Sequence, residues 1–108
     1  MLRSALFFAA MVLSSPAMAG QFNVADHVIT TITTGWGAEG IYVATQGTLP
    51  AGADCGAGNT FMMEVGHPLQ KEILALLMST LQSDGKVNIF VDGCVGNAMK
   101  LKSVTVGH

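Results

Sequence analysis

Residues 67–85, HPLQKEILALLMSTLQSDG, decide the fold of this chain. Their apolar residues recur at helical spacing: Leu69, Ile73, Leu74, Leu76, Leu77, Met78 and Leu81. Pro68 suits the first helical position and Gly85 the C-terminal cap, with no glycine between them. On a helical wheel the apolar residues span about 200°, twice the arc that a surface helix ordinarily turns to its core. Lys71, Glu72, Ser79, Gln82 and Ser83 share the narrow remainder. A small barrel or sheet covers only part of such an arc. The rest predicts either a deeply wrapped helix or a subunit contact, and we favour the contact.

Strand patterns flank the helix on both sides. His27–Thr34 (HVITTITT) is β-branched, and Ile41–Gln46 (IYVATQ) alternates Ile41, Val43 and Thr45 with Tyr42 and Ala44. Between them Gly35, Gly37 and Gly40 bracket Trp36 and Glu39 in a turn. Gly47 to Asn59 carries four glycines, Pro50 and Cys55 and reads as loop, and Thr60–Glu64 (TFMME) as a short third strand. After the helix come Lys86–Val91 (KVNIFV), a loop over Asp92–Ala98 that holds Cys94, and a last strand over Met99–Val106. Lys100 and Lys102 alternate on that strand, as on a solvated or edge strand. The chain is therefore mainly β with one α-helix, in the order β-β-β-α-β-β.

The N-terminus places this domain. Arg3 precedes an apolar run from Ala5 to Leu13, followed by Ser14, Ser15, Pro16 and then Ala17-Met18-Ala19. That is the order of a secretory signal peptide over residues 1–19, leaving a mature domain over 20–108 in a secreted or periplasmic setting. The apolar run is too short to span a bilayer, and no later run is long and charge-free enough. Without Arg3, four lysines face seven acids, a net charge of −3 on the mature chain. Nucleic acid and anionic lipid both need clustered Lys or Arg, so neither is an expected partner.

A domain of this size buries only about 60% of the surface its unfolded chain exposes, so a staple or a partner is expected. Cys55 and Cys94 are the only cysteines, and in an oxidising compartment an even pair reads as a disulfide. A metal site is the weaker reading, because neither cysteine has a CxxC or CxxH neighbourhood. The pair is also too far apart in sequence for a CxxC redox site.

A helix between the third and fourth of five strands is the order of the OB-fold, a partly open Greek-key barrel. With the leader and the single disulfide, the chain resembles small secreted bacterial OB-fold proteins, the B subunits of AB5 toxins. The subtilase cytotoxin B-subunit-like family is nearest in pattern. The resemblance spans about His27 to Val106 and rests on Gly40-Ile41-Tyr42-Val43, Cys55, the helix, and Gly85-Lys86-Val87-Asn88-Ile89-Phe90-Val91. It implies a carbohydrate-binding toxin B subunit-like module, a homo-oligomeric ring and an exported enzymatic subunit as partner. In an OB-fold the third and fifth strands are parallel neighbours, so Cys55 and Cys94 would meet at one end of both.

OB-folds bind ligands over strands two and three, between the first-second and fourth-fifth loops. Here the first-second loop is GWGAEG, with the only tryptophan, and strand two holds the only tyrosine. An aromatic plane beside polar groups suits a sugar. The expected ligand-binding residues are thus Trp36, Glu39, Tyr42, Asp92 and Asn97. The plainer reading is that Trp36 closes the barrel end and Tyr42 belongs to the core. His27, His67 and His108 lack the i, i+2 or i, i+4 spacings of a zinc or copper site, and Met62-Met63 points to opposite faces, so no metal or cofactor is expected. No GxSxG, HExxH or Walker pattern occurs, and Glu64 and His67 are close enough in sequence to pair as acid and base across a strand-to-helix turn. The expected function is a non-enzymatic exported module binding a glycan or envelope component. The alternative is a periplasmic structural or inhibitor protein acting through protein–protein contact.

Overall fold

The computed structural model describes residues 20–107; the leader expected over 1–19 lies outside the described residues, as does His108. Five strands and one helix follow in the order read from the sequence: β1 (Gln21–Thr34), β2 (Gly40–Gln46), β3 (Thr60–Glu64), α1 (Gln70–Ser83), β4 (Lys86–Val95) and β5 (Ala98–Val106). The strands close into a barrel in the order β1-β2-β3-β5-β4, with β3 and β5 parallel and all other neighbours antiparallel. This is the OB-like barrel expected from the element order. Among the described residues no helix is long and apolar enough to cross a membrane.

Alternation builds the core. Ile41 and Val43 of β2 and Val87, Ile89 and Val91 of β4 point inward and are buried, beside Phe61 and Met63 of β3 and Met99 and Leu101 of β5. Helix α1 packs on β1, β5 and β4 and sends Ile73 and Leu77 into this core. Full burial of each such side chain is worth about 1.5–3 kcal/mol. Leu74 and Leu81 pack against it only in part, whereas Leu76 and Met78 stay 41% and 47% exposed. The barrel thus uses about half of the apolar arc, because the buried Ile73, Leu77 and Thr80 fall on one narrow stripe.

The larger departures from the expected boundaries each have a local reason. Strand β1 begins at Gln21, six residues before His27, because its first half, Gln21 to Val28, pairs with β4 while Val28 onward pairs with β2. A bulge at Ala25-Asp26 interrupts the β1–β4 ladder; Asp26 takes φ 60° and its N–H donates to Asn88 Oδ1 at 2.9 Å. The bulge also turns His27 inward, where it is fully buried. Thr48's carbonyl receives the His27 Nε2 proton at 3.0 Å, leaving Nδ1 to accept the Thr45 hydroxyl at 2.7 Å.

Helix α1 starts at Gln70, not at Pro68, because residues 67–70 first close a turn. The Gln70 N–H donates to the His67 carbonyl at 3.1 Å, and the Leu69 N–H to His67 Nδ1 at 3.1 Å. At the other end Asp84, not Gly85, holds the left-handed position, with φ 55°. Aspartate tolerates that conformation better than most residues. Finally, Cys94 lies in a strand: β4 runs through Asp92–Val95, with Gly93 at φ 87° absorbing a register shift, and only Gly96-Asn97 form the hairpin turn. Since β5 has neighbours on both sides, Lys100 and Lys102 lie on a solvated face and not on an edge.

Cys55 and Cys94 form the disulfide, with Cα atoms 5.8 Å apart across a separation of 39 residues. Closing a loop of that length stabilises the fold by about 3–4 kcal/mol on the chain-entropy model. Reduction, or paired Cys55→Ala and Cys94→Ala substitution, should lower unfolding free energy by that amount in urea titrations; an unchanged midpoint would remove the staple from the account.

Candidate functional site

The outward residues of β2, β3 and β5 line up in rows set by the ladder register. Tyr42 pairs with Met62, and Met62 with Lys100, so these three share the outer face. Met62 is nonetheless only 4% exposed. Its Cε lies so close to Gly40 that a Cβ there would come within 2.8 Å of it, and the same Cβ would reach Met63's carbonyl at 2.4 Å. Gly40 is therefore needed for close approach, and Met62 forms an apolar floor between Tyr42 and Lys100.

The β1–β2 loop rises from one end of this face. The Gly35 N–H donates to the Gly40 carbonyl at 2.8 Å and the Ala38 N–H to the Gly35 carbonyl at 3.0 Å, with Ala38 in the left-handed region at φ 64°. Glu39 folds its carboxylate back over the loop. A Cβ on Gly35 would stand 2.5 Å from the Glu39 carboxyl carbon. The Tyr42 hydroxyl donates to Glu39 Oε2 at 3.1 Å, tying strand to loop. That hydrogen bond first, then partial burial and the carboxylate's charge, push the Tyr42 phenol above its usual 10.0. Trp36, at the tip, is 100% exposed. It does not close the barrel end, and Tyr42 is an outward residue rather than a core one.

The remaining expected residues sit elsewhere on the face. Asp92 pairs with Lys102, Oδ2 to Nζ 3.6 Å, while Glu64 pairs with Lys100 at 3.5 Å. Such half-exposed pairs contribute about 0–1 kcal/mol each. Asn97 lies in the β4–β5 turn, where its carbonyl accepts from the Ala57 N–H at 3.0 Å. That turn stands before the start of β3, whereas Gly40 and the Trp36 loop stand at its end. Trp36, Glu39 and Tyr42 thus form one cluster, and Asp92 and Asn97 flank the far side.

Glu64, Lys100, Lys102 and Met62 belong to the face but were not among the residues expected there. The alternation of Lys100 and Lys102 was the available signal; the β3–β5 register that lays them beside Met62 was not in the sequence. A groove of about 570 Å³ adjoins them, between β5 and the turn before α1, with Pro68, Leu69 and Phe90 in its walls. Its rim residue His67 donates from Nε2 to the Lys102 carbonyl at 2.8 Å and accepts the Leu69 N–H at Nδ1. Both ring nitrogens are engaged and Glu64 turns to Lys100, so Glu64 and His67 do not form an acid–base pair. Among the described residues no group of three or more His, Cys, Asp or Glu side chains stands close enough to hold a metal ion.

No protein-family model matches this chain, and no curated protein or solved structure matches it either. The geometry above carries the functional argument.

The sole tyrosine and sole tryptophan make the cluster directly readable. Absorbance titration should place the Tyr42 phenol above 10, and Glu39→Ala should bring it back towards 10, since it removes the acceptor of the phenol proton. The sign is that of an acid whose protonated form is held: the Tyr42–Glu39 bond persists at neutral pH and is lost as pH rises through the raised phenol pKa. An ordinary titration in the native chain would show that this brace is absent in solution.

Proposed function

We propose that this protein is an exported, non-enzymatic binding module whose outer β2–β3 face takes a glycan, with Trp36 as the stacking platform. The observation that carries the reading is a fully exposed indole on a loop braced from beneath by Glu39 and Tyr42. A buried tryptophan would be explained by packing. This one contributes nothing to the core, and a large apolar ring held in water by a braced loop is matched to a partner's flat apolar face. The C–H face of a sugar ring supplies that and Glu39 offers an acceptor on the same loop, while Asp92 and Asn97, on the far side, offer acceptors and donors to further units of a longer glycan. The strand order supports the same face, since ligands of OB-folds lie over strands two and three. Export follows from the leader-like residues 1–19 and accords with the disulfide.

Glycan-array binding by the mature protein should fall about tenfold or more in Trp36→Ala, with the thermal midpoint unchanged because the side chain packs against nothing. Binding that survives the substitution would remove Trp36 from the site.

A second reading, association through protein contact, is favoured by one observation: Leu76 and Met78 of α1 remain exposed. The resemblance to AB5 toxin B subunits gives that surface a role, as the contact between copies in a ring that carries an enzymatic subunit. Acting instead on a different protein, the same surface would serve a periplasmic structural or inhibitor function. Native mass spectrometry of the mature chain should show closed oligomers, which Leu76→Glu with Met78→Glu dissociates. A monomer at all concentrations would end the ring model and leave the glycan face intact.

A further inference from the structure

We propose that Cys94 is a thiol-exchange site, at which a low-molecular-weight thiol attacks the disulfide of the folded protein and stays attached as a mixed disulfide. The proposal is independent of the glycan reading and starts from the two ends of the bridge, which have unlike surroundings. Cys55 is partly buried and packs against the hydrophobic core. Cys94 is exposed, next to last in β4 and just ahead of the Gly96-Asn97 turn. A disulfide breaks when a thiolate attacks one of its sulfurs, and access decides which. The attacker arrives along the S–S line, from the side away from the leaving sulfur. For Cys55 that side is the core on which it packs. For Cys94 it is the exposed β4–β5 hairpin. The fold therefore makes Cys94 the sulfur attacked and Cys55 the leaving group.

In the exchange the thiolate sulfur bonds to Cys94 Sγ and the Cys55–Cys94 bond breaks. The electron pair of that bond leaves on Cys55 Sγ, which takes a proton from water. One thiol is consumed and one is formed, so the step needs no other oxidant or reductant. The freed Cys55 thiol keeps a weak acceptor, the Gly93 carbonyl, 3.8 Å from its sulfur. Backbone hydrogen bonds hold the chain on both sides of the bridge: Ala57 N–H to the Asn97 carbonyl, and Gly93 N–H to the Gly20 carbonyl, each at 3.0 Å. The two sulfurs thus stay in reach of each other while the adduct is present. Attack by Cys55 on the mixed disulfide expels the thiol and restores the staple, so the site is reversible.

The experiment exposes the mature, disulfide-bonded protein to 2-mercaptoethanol for short times, quenches in acid and blocks free thiols with an alkylating agent. Cleavage after Lys71 and Lys86 puts the two cysteines on separate peptides for mass spectrometry. Mercaptoethanol on Cys94 with alkylated Cys55 should exceed the reverse by about tenfold or more, because the attack is limited by access. The rate should be proportional to thiol concentration and flat through low urea, since no unfolding precedes the attack. In strong urea, where both sulfurs are free, the preference should fall away. Adduct shared evenly or favouring Cys55 in the folded protein overturns the proposal. So does exchange whose rate climbs with urea from the start, which would mean that the bridge reacts only after opening. A preference for Cys94 that survives in strong urea overturns it as well, by tracing the selection to local sequence and not to the fold.

Discussion

The barrel closes across its weakest seam. Strands β3 and β5 are joined by only two residue pairs, Phe61 with Met99 and Met62 with Lys100. They run parallel, the arrangement with slightly less stable pairing per residue. Additional contacts stand at both ends of this ladder. At its start, the Cys55–Cys94 disulfide and the Ala57-to-Asn97 backbone hydrogen bond join the segments that lead into the two strands. At its finish, His67 donates to the Lys102 carbonyl and Glu64 pairs with Lys100. Phe61 and Met99 beneath the seam are fully buried. These contacts reinforce a seam that the ladder itself joins at only two pairs.

Closure also creates the candidate face. Tyr42, Met62 and Lys100 come from three strands that are distant in sequence, and only the β2–β3 and β3–β5 registers bring them into one row. The disulfide stands at one end of that row's central strand and the Trp36 loop at the other. The staple that holds the barrel shut is therefore remote from the indole, and the loop has its own brace in the Glu39–Tyr42 bond. Stability and display are supplied by different residues, so the tip can change without disturbing the core.

The same geometry bears on the choice among functions. His67, which the sequence offered as an acid–base partner of Glu64, spends both ring nitrogens on fixing the turn before α1 to β5. His27 spends both of its own on Thr45 and Thr48 inside the barrel. These two histidines are joinery. Among the exposed apolar side chains are Trp36 at the loop tip and Leu76 and Met78 on the outer side of α1, beside Val65, Leu69 and Val106 elsewhere, and the two proposed modes of recognition assign the tip to a ligand and the helix to a neighbouring subunit.

Period and punctuation in the sequence determined the element order. The switch from alternating residues to a helical stripe at residue 67, and back again after Gly85, was enough to place one helix between strands three and four. The two cysteines, an even pair behind a leader, read as a disulfide, and the OB-fold order would bring them to one end of two parallel strands. What the sequence did not carry was register. The start of β1 was hidden because Gln21–Asp26 has no β-branched run and pairs across a bulge, and the inward turn of His27 follows from that bulge. Cys94 looked like a loop residue because Gly93 beside it marks a register shift within β4 rather than a strand end. Trp36, Glu39 and Tyr42 were legible as a cluster because they lie within seven residues. Met62, Glu64, Lys100 and Lys102 were not, since their neighbourhood depends on which residue of one strand faces which residue of another. Local chemistry fixes elements; only the closed hydrogen-bond ladder decides what stands beside what.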